Sequence, residues 1–224
     1  MKTQLAIFDL AGTTIKDNHD VHKALRSALG EFEINATLED INEVMGLPKP
    51  LAINLLLQKM GARKPSGDLV SKIHHAFVTK MTNFYCSDPQ FGETDGVSDT
   101  FGRLQNRGIK VMIDTGFDRG IADVIIERVG WKCNGLIYAS VTSDEVENGR
   151  PHPDMIYRAM QIAGVTDSRL VAKVGDTVSD LVEGNSAGCG YVIGVTTGAF
   201  SRERLQNETH THLIDSIPEI LDII

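Results

Sequence analysis

Asp9, Thr115 and Asp176 each close a short β-prone run, where side chains from distant parts of a chain can be brought together. Two carboxylates meeting from separate strands would form a hard-oxygen site suited to Mg²⁺, which keeps several of its waters. Thr115-Gly116 adds a hydroxyl and bare backbone N–H groups at the start of a helix, a cradle for an anion. Arg150, in Asn148-Gly149-Arg150-Pro151-His152-Pro153, supplies a permanent charge whose planar fork matches phosphate oxygens. Carboxylate, hydroxyl, cation and metal together point to phosphoryl transfer onto a carboxylate nucleophile.

These residues are far apart in sequence, so a fold must gather them. Residues 4–8 read as a buried strand feeding a glycine-containing turn. After Asp88-Pro89, helix and strand alternate. Helices are expected over 97–106, 120–129, 153–162, 181–187 and near 217–221. Strands are expected over 109–113, 136–140, 170–174, 191–195 and near Leu213. Short-spaced alternation predicts an α/β fold, a Rossmann-like parallel sheet covered on both faces, with ligands beyond the carboxyl ends of its strands. Between 21 and 85 the apolar period is helical instead. Ala24, Leu25, Ala28 and Leu29 form one stripe, and Leu38, Ile41 and Val44 a second. Ile53, Leu56, Leu57 and Met60 form a third, and Leu69, Ile73, Phe77, Met81 and Phe84 a fourth. The organisation that follows is an α/β core from 1–16 and 89–224, with an all-helical cap domain inserted at 17–88.

Composition narrows the function classes. The 224 residues are 42% hydrophobic and 23% charged, an ordinary globular balance. The net charge is −8 without a Lys/Arg run, which argues against a nucleic-acid surface but leaves room for a small anionic substrate. The apolar stretch 51–57 contains Asn54 and is too short to span a bilayer. Asp9 interrupts the first apolar run, so no signal peptide is expected. Cys86, Cys133 and Cys189 are odd in number and widely spaced, which offers neither a metal-ligand pair nor a disulfide framework; a cytoplasmic location is expected. His22, His210 and His212 are expected at the surface, His152 in a structural role and Trp131 in packing.

Phe8-Asp9-Leu10-Ala11-Gly12-Thr13-Thr14, Asp114-Thr115-Gly116, Gly149-Arg150-Pro151 and Val174-Gly175-Asp176-Thr177-Val178-Ser179-Asp180 resemble, in order, the four motifs of the haloacid dehalogenase superfamily. The resemblance covers almost the whole chain. It implies Asp9 as nucleophile and Thr115 with Gly116 and Arg150 as phosphate ligands. It implies Asp9, the Ala11 carbonyl and Asp176 as Mg²⁺ ligands, with Asp180 close behind. It also implies a cap that opens for substrate and closes against water.

Two positions depart from most phosphatases of that superfamily, which carry Asp where this chain has Ala11 and Lys where it has Arg150. Both replacements resemble the phosphonatase subgroup. So does the cap stretch Met45-Gly46-Leu47-Pro48-Lys49, in which the resemblance makes Lys49 a Schiff-base lysine and places Met45 and Gly46 at the pocket. The subgroup's histidine three residues later is Ala52 here, and the loop Ile15-Lys16-Asp17-Asn18-His19 lacks its Gly-Cys pair. His74 and His75 fall on a different helix. Pro48 and Pro50 are expected to stiffen a loop around Lys49.

Ala11 matters because a phosphate ester expels an alkoxide, and general acid catalysis of that step is worth about 10²–10⁴-fold. A methyl group supplies no proton. Carbon–phosphorus cleavage instead needs an electron sink, which a lysine iminium provides. The expected activity is therefore Mg²⁺-dependent cleavage of a small 2-oxoalkylphosphonate. A phosphomonoesterase acting on a small phosphorylated metabolite is the alternative, and a non-catalytic binding protein the weaker one. The resemblance further implies a homodimer paired through the caps.

Overall fold

The computed structural model describes residues 2–224. Six strands form one sheet: β1 (Leu5–Phe8), β2 (Lys110–Thr115), β3 (Ala139–Thr142), β4 (Val171–Gly175), β5 (Tyr191–Val195) and β6 (His212–Ile214). Their order is β3-β2-β1-β4-β5-β6, and every pairing is parallel. β1 and β4 are buried along their whole length, as a strand covered on both faces must be. Because β2, β1 and β4 are neighbours, Thr115, Asp9 and Asp176 emerge side by side at one edge of the sheet.

Five helices accompany these strands: α5 (Val97–Asn106), α6 (Arg119–Val129), α7 (Asp154–Ala163), α8 (Val178–Ala187) and α9 (Arg202–Leu205). The chain marks their ends chemically. Asp118 accepts from the Ile121 N–H at the start of α6, and Thr177 with Asp180 forms a capping box at the start of α8. Gly130, Gly164 and Gly188 stop α6, α7 and α8 in left-handed backbone. The tail ends in a 3₁₀ turn over Ile217–Asp222.

The segment between β1 and α5 is helical: α1 (Asp20–Gly30), α2 (Leu38–Asn42), α3 (Lys49–Lys59) and α4 (Gly67–Ser87). Leu25 and Leu29 of α1, Ile53 and Leu56 of α3, and Ile73, Phe77 and Met81 of α4 are fully buried. The stripes thus mark the packed faces, with corrections at their ends. Leu38 is 48% and Met60 39% exposed, because each lies at a helix end that turns away from the bundle. Tyr85, not Phe84, is the buried aromatic at the end of α4. β3 also starts later than its apolar run: Leu136 donates its N–H to Trp131 O (2.8 Å) in a turn closing α6, and sheet bonding begins only with Tyr138 to Val111 O (2.7 Å). Trp131 itself is buried against Phe101.

Two adjacent linkers join this helical segment to the sheet. Ile15 pairs antiparallel with Glu93, and Lys16 N–H donates to Gly92 O at 3.1 Å. The segment then folds back so that residues 45–49 cover the strand ends, and we call it the cap. Glycines allow the close contact there. A Cβ on Gly116 would fall 2.9 Å from Gly46 O, and one on Gly149 would fall 2.5 Å from Pro48 Cγ. Gly46 has φ 81°, and a Cβ on it would collide with the Thr177 hydroxyl. Gly46→Ala is therefore expected to cost at least about 1 kcal/mol from left-handed backbone alone. Urea unfolding measures this, and a variant as stable as the parent would show that the cap does not seat this tightly.

Candidate active site

Arg150 is 1% exposed and touches four acids. Its Nη1 donates to Asp9 Oδ1 (2.7 Å) and lies 2.9 Å from Asp180 Oδ1. Its Nη2 donates to Asp114 Oδ1 (2.6 Å) and Asp114 O (3.0 Å), and its Nε to Glu183 Oε2 (2.9 Å). Lys173, equally buried, pairs with the same Asp114 oxygen and lies 3.0 Å from Asp180 and 3.4 Å from Glu183. Burial, and next the charge of Asp114, push the Glu183 carboxyl well above the usual carboxylate range. Arg150 and Lys173 thus face four acids, Asp9, Asp114, Asp180 and Glu183, and Asp176 stands beside them with no cation of its own among the described residues.

Asp176 shows this most clearly. Its Oδ1 accepts from the Thr13 hydroxyl (2.9 Å) and its Oδ2 from Ala199 N–H (2.7 Å), and it forms no ion pair among the described residues. Burial, and then Asp9, raise its pKa well above the ordinary value. Burial likewise lifts Asp9 to about 6, against the pull of Arg150. Gly12, at φ 88°, brings its backbone so close that a Cβ would lie 2.5 Å from Asp176 Oδ2. Two buried, hydrogen-bonded carboxylates short of positive charge fit a small divalent cation bound through oxygen. Asp9, Asp114 and Asp180 also present oxygens within 4.8 Å of one another. Arg150 and Lys173 already bridge those oxygens, and their fixed charges would repel a metal from that position.

Lys49 enters from the cap. It is 4% exposed, and its Nζ donates to Leu47 O at 3.3 Å. The ammonium lies 5.4 Å from the Phe117 ring centre and 5.8 Å from that of Phe77. Burial lowers its pKa to about 8; Asp9 opposes the shift and Arg150 adds to it. The position differs from a stiffened loop: Lys49 is the first residue of α3, after Pro48 and before Pro50. Prolines are tolerated there because the first turn of a helix leaves its N–H groups unpaired anyway.

Asp9, Ala11, Met45, Gly46, Lys49, Thr115, Gly116, Arg150 and Asp176 all line one cavity of about 30 Å³. Asp180 lies beneath it, its Oδ2 accepting from Thr177 N–H (3.1 Å) and from the Thr177 hydroxyl (2.5 Å). Thr115 Oγ1 accepts from Phe117 N–H (3.2 Å), which leaves its hydroxyl hydrogen free to point at an anion. The cavity is far smaller than the roughly 300–1,000 Å³ of an ordinary small-ligand pocket. A larger groove of about 660 Å³ adjoins it and shares Met45 and Ala199. The charged groups that do chemistry line the smaller space.

Several members were not found from sequence. Lys173 carried a usable signal, a charge inside the otherwise apolar strand Val171–Gly175. Asp114 stood within a recognised motif and Glu183 three residues beyond the last one, but only the fold shows that they share Arg150. His22 is a correction: it is 2% exposed, with Nε2 3.0 Å from Asn42 Oδ1. It falls on the inward face of α1 beside Leu25 and Leu29, a placement the helical spacing contained. Ala52 is fully buried, His74 stands 3.7 Å from Asp118, and His75 is exposed.

Buried acids and an arginine gathered at the strand ends beneath a helical cover make a centre suited to a divalent cation and a small anion. Residues 6–195 match the family model described as haloacid dehalogenase-like hydrolase, and the chain belongs to that family. It is similar to a phosphonoacetaldehyde hydrolase from Bacillus cereus, 30% identical over 230 positions that cover 97% of this chain and 84% of the relative. Among solved structures it is similar in fold to a hydrolase from Pseudomonas syringae, with a TM-score of 0.88, 19% identity and coverage of 98% and 97% of the two chains. It also resembles a phosphonoacetaldehyde hydrolase-like protein from Oleispira antarctica, with a TM-score of 0.86, 23% identity and coverage of 100% and 91%. No helix among the described residues is long and apolar enough to cross a membrane.

Arg150→Met would strand Asp9, Asp114 and Asp180 with one buried cation. The expected loss is roughly 3–5 kcal/mol of unfolding free energy, the cost of breaking a buried pair from one side. Denaturant titration at neutral pH checks it, and a loss below about 1 kcal/mol would refute the charge balance drawn above.

Proposed function

We propose that this hydrolase cleaves the carbon–phosphorus bond of a small 2-oxoalkylphosphonate of the phosphonoacetaldehyde type, with Mg²⁺ as cofactor. The observation that carries the proposal is Lys49, an amine without a carboxylate partner among the described residues, buried in the cavity that holds Asp9. The curated relatives named phosphonoacetaldehyde hydrolase support it. Ala11 supports it as well, since no acid stands at that position to protonate an alkoxide.

Lys49 condenses with the substrate carbonyl, forming an iminium and releasing water. Asp9 then attacks phosphorus in line with the C–P bond. The bonding pair moves into the iminium, so the leaving fragment is a neutral enamine rather than a carbanion. Thr115, Gly116 and Arg150 hold the phosphoryl oxygens as charge builds on them. Asp9, the Ala11 carbonyl and Asp176 would hold Mg²⁺, which would supply positive charge beside the Asp9–Asp176 pair. Water hydrolyses the enamine adduct from Lys49 and the phosphoryl group from Asp9.

Borohydride added during turnover of phosphonoacetaldehyde is expected to fix a reduced adduct on Lys49, found by peptide mass mapping, and Lys49→Arg is expected to abolish phosphate release. Release of phosphate from esters with no adduct on Lys49 would instead establish a phosphomonoesterase.

The pH dependence tells where the Lys49 proton goes, because the pKa of that amine stands at about 8. Loss of the proton to bulk water would make adduct formation rise about tenfold per pH unit below that value and level off above it. Loss to a group inside the site would leave the trapping rate flat from pH 6 to 8. Chelation should stop phosphate release and added Mg²⁺ restore it, while Asp176→Asn should raise the Mg²⁺ concentration needed by tenfold or more (roughly 10–100-fold is typical when a metal site loses a supporting group).

A further inference from the structure

Three carboxylates line the catalytic cavity: Asp9, Asp176 and Asp17. The first two are committed to phosphorus and to the cation. Asp17 has no part in the chemistry set out so far. It lies in the linker between Ile15 and α1, where the chain passes from the sheet to the cap. Its Oδ1 accepts the N–H groups of Asp20 (2.6 Å) and Val21 (3.3 Å), which fixes the side chain against the start of α1. Its Oδ2 accepts no hydrogen bond among the described residues. One oxygen is thus anchored and the other is free, on a residue that faces the same space as Lys49.

Condensing an amine with a carbonyl moves protons twice. The ammonium must lose one before nitrogen attacks, and the carbinolamine oxygen must gain one before it leaves as water. No histidine lines the cavity among the described residues, and position 52 is a buried alanine. Thr115 and Thr177 also line it, but hydroxyls are poor acids and bases at neutral pH.

We propose that Asp17 is the acid–base residue for Lys49, an inference that rests on the Schiff-base reading above. Asp17 takes a proton from the Lys49 ammonium, and the amine lone pair forms the C–N bond as the carbonyl π pair moves to oxygen. The proton on the new C–N nitrogen passes to that oxygen, giving the neutral carbinolamine. Asp17 then delivers its proton to the hydroxyl, which leaves as water. The nitrogen lone pair closes the C=N bond of the iminium, and Asp17 is again a carboxylate. The sum is ammonium plus aldehyde giving iminium plus water, with no other reactant.

The test uses the full chain with Mg²⁺ and phosphonoacetaldehyde. Asp17→Asn keeps the shape and an acceptor oxygen for Asp20 and Val21, so α1 stays capped. The variant is expected to slow borohydride-trapped adduct formation on Lys49 by about 10²-fold or more. Its Mg²⁺-dependent affinity for orthophosphate, read by calorimetry, should stay within about twofold of the parent's, and Asp17→Glu should recover part of the trapping rate. Trapping by Asp17→Asn at the parental rate would overturn the assignment. So would an equal loss of orthophosphate affinity, which marks a purely structural role. If the parent chain itself forms no Lys49 adduct, the Schiff-base reading fails; if the parent traps and Asp17→Asn traps equally well, only the Asp17 assignment fails.

Discussion

Everything at this centre is arranged around a guanidinium that has been taken out of water. Arg150 cannot shed its proton, so burial obliges the fold to surround it with acids. Asp114 comes from β2, Asp180 and Glu183 from α8, and Asp9 from the end of β1. A single side chain therefore ties together the first, second and fourth motifs, which lie up to 174 positions apart in the chain between Asp9 and Glu183. The planar fork explains why the residue is arginine. Nη1, Nη2 and Nε each point at a different carboxylate, a division that the compact ammonium of a lysine does not match. Lys173 completes the arrangement from beneath, holding Asp114 and Asp180 so that Arg150 can share itself with Asp9.

The cap depends on a different constraint, the absence of side chains. Gly116 lets the cap backbone at Gly46 and Leu47 lie against it, and Gly46 and Gly149 make room for Thr177 and Pro48, where Cβ atoms would collide. The contact fixes the turn before α3 and hence the place of Lys49. Phe77 and Phe117, one from the cap and one from the core, then shield the amine from water, and that burial is the chief cause of its lowered pKa.

Much of this was readable before any coordinates, for definable reasons. Parallel strands buried on both faces give continuous apolar runs, so β5 and α5 fell at their expected limits. Residues at strand ends are fixed by the sheet itself, which is why Asp9, Thr115 and Asp176 could be brought together from spacing alone. Contacts made only by tertiary packing could not be read. Lys49 looked like a loop residue between two prolines, although the same prolines are compatible with a first helical turn. His22 was expected at the surface although its spacing puts it on the inward face of α1, and only its partner Asn42, twenty positions away, was out of reach. The pairing of Asp114 and Glu183 with one arginine has no local signature at all. Leu136 and Ile137 have strand character, but the turn after α6 uses them first.

Placing the amine on the cap rather than on the sheet has a consequence for selectivity. The pKa of Lys49 is lowered chiefly by burial, and that burial exists only while residues 45–49 lie against the strand ends. With the cap lifted, water returns to the ammonium and its pKa returns toward the ordinary value of about 10.4. In the proposed reaction the amine is therefore a nucleophile only in the closed state, where Arg150 and Asp9 line the same cavity and bulk water is excluded. A core-mounted lysine would meet aldehydes at all times and condense with those that carry no phosphoryl group. Mounted on the cap, it would react when a ligand both holds the cap closed and presents a carbonyl. On the proposed reading an anion for Thr115 and Arg150 and a carbonyl for Lys49 are thus required together, and a small molecule bearing both would satisfy the site as a whole.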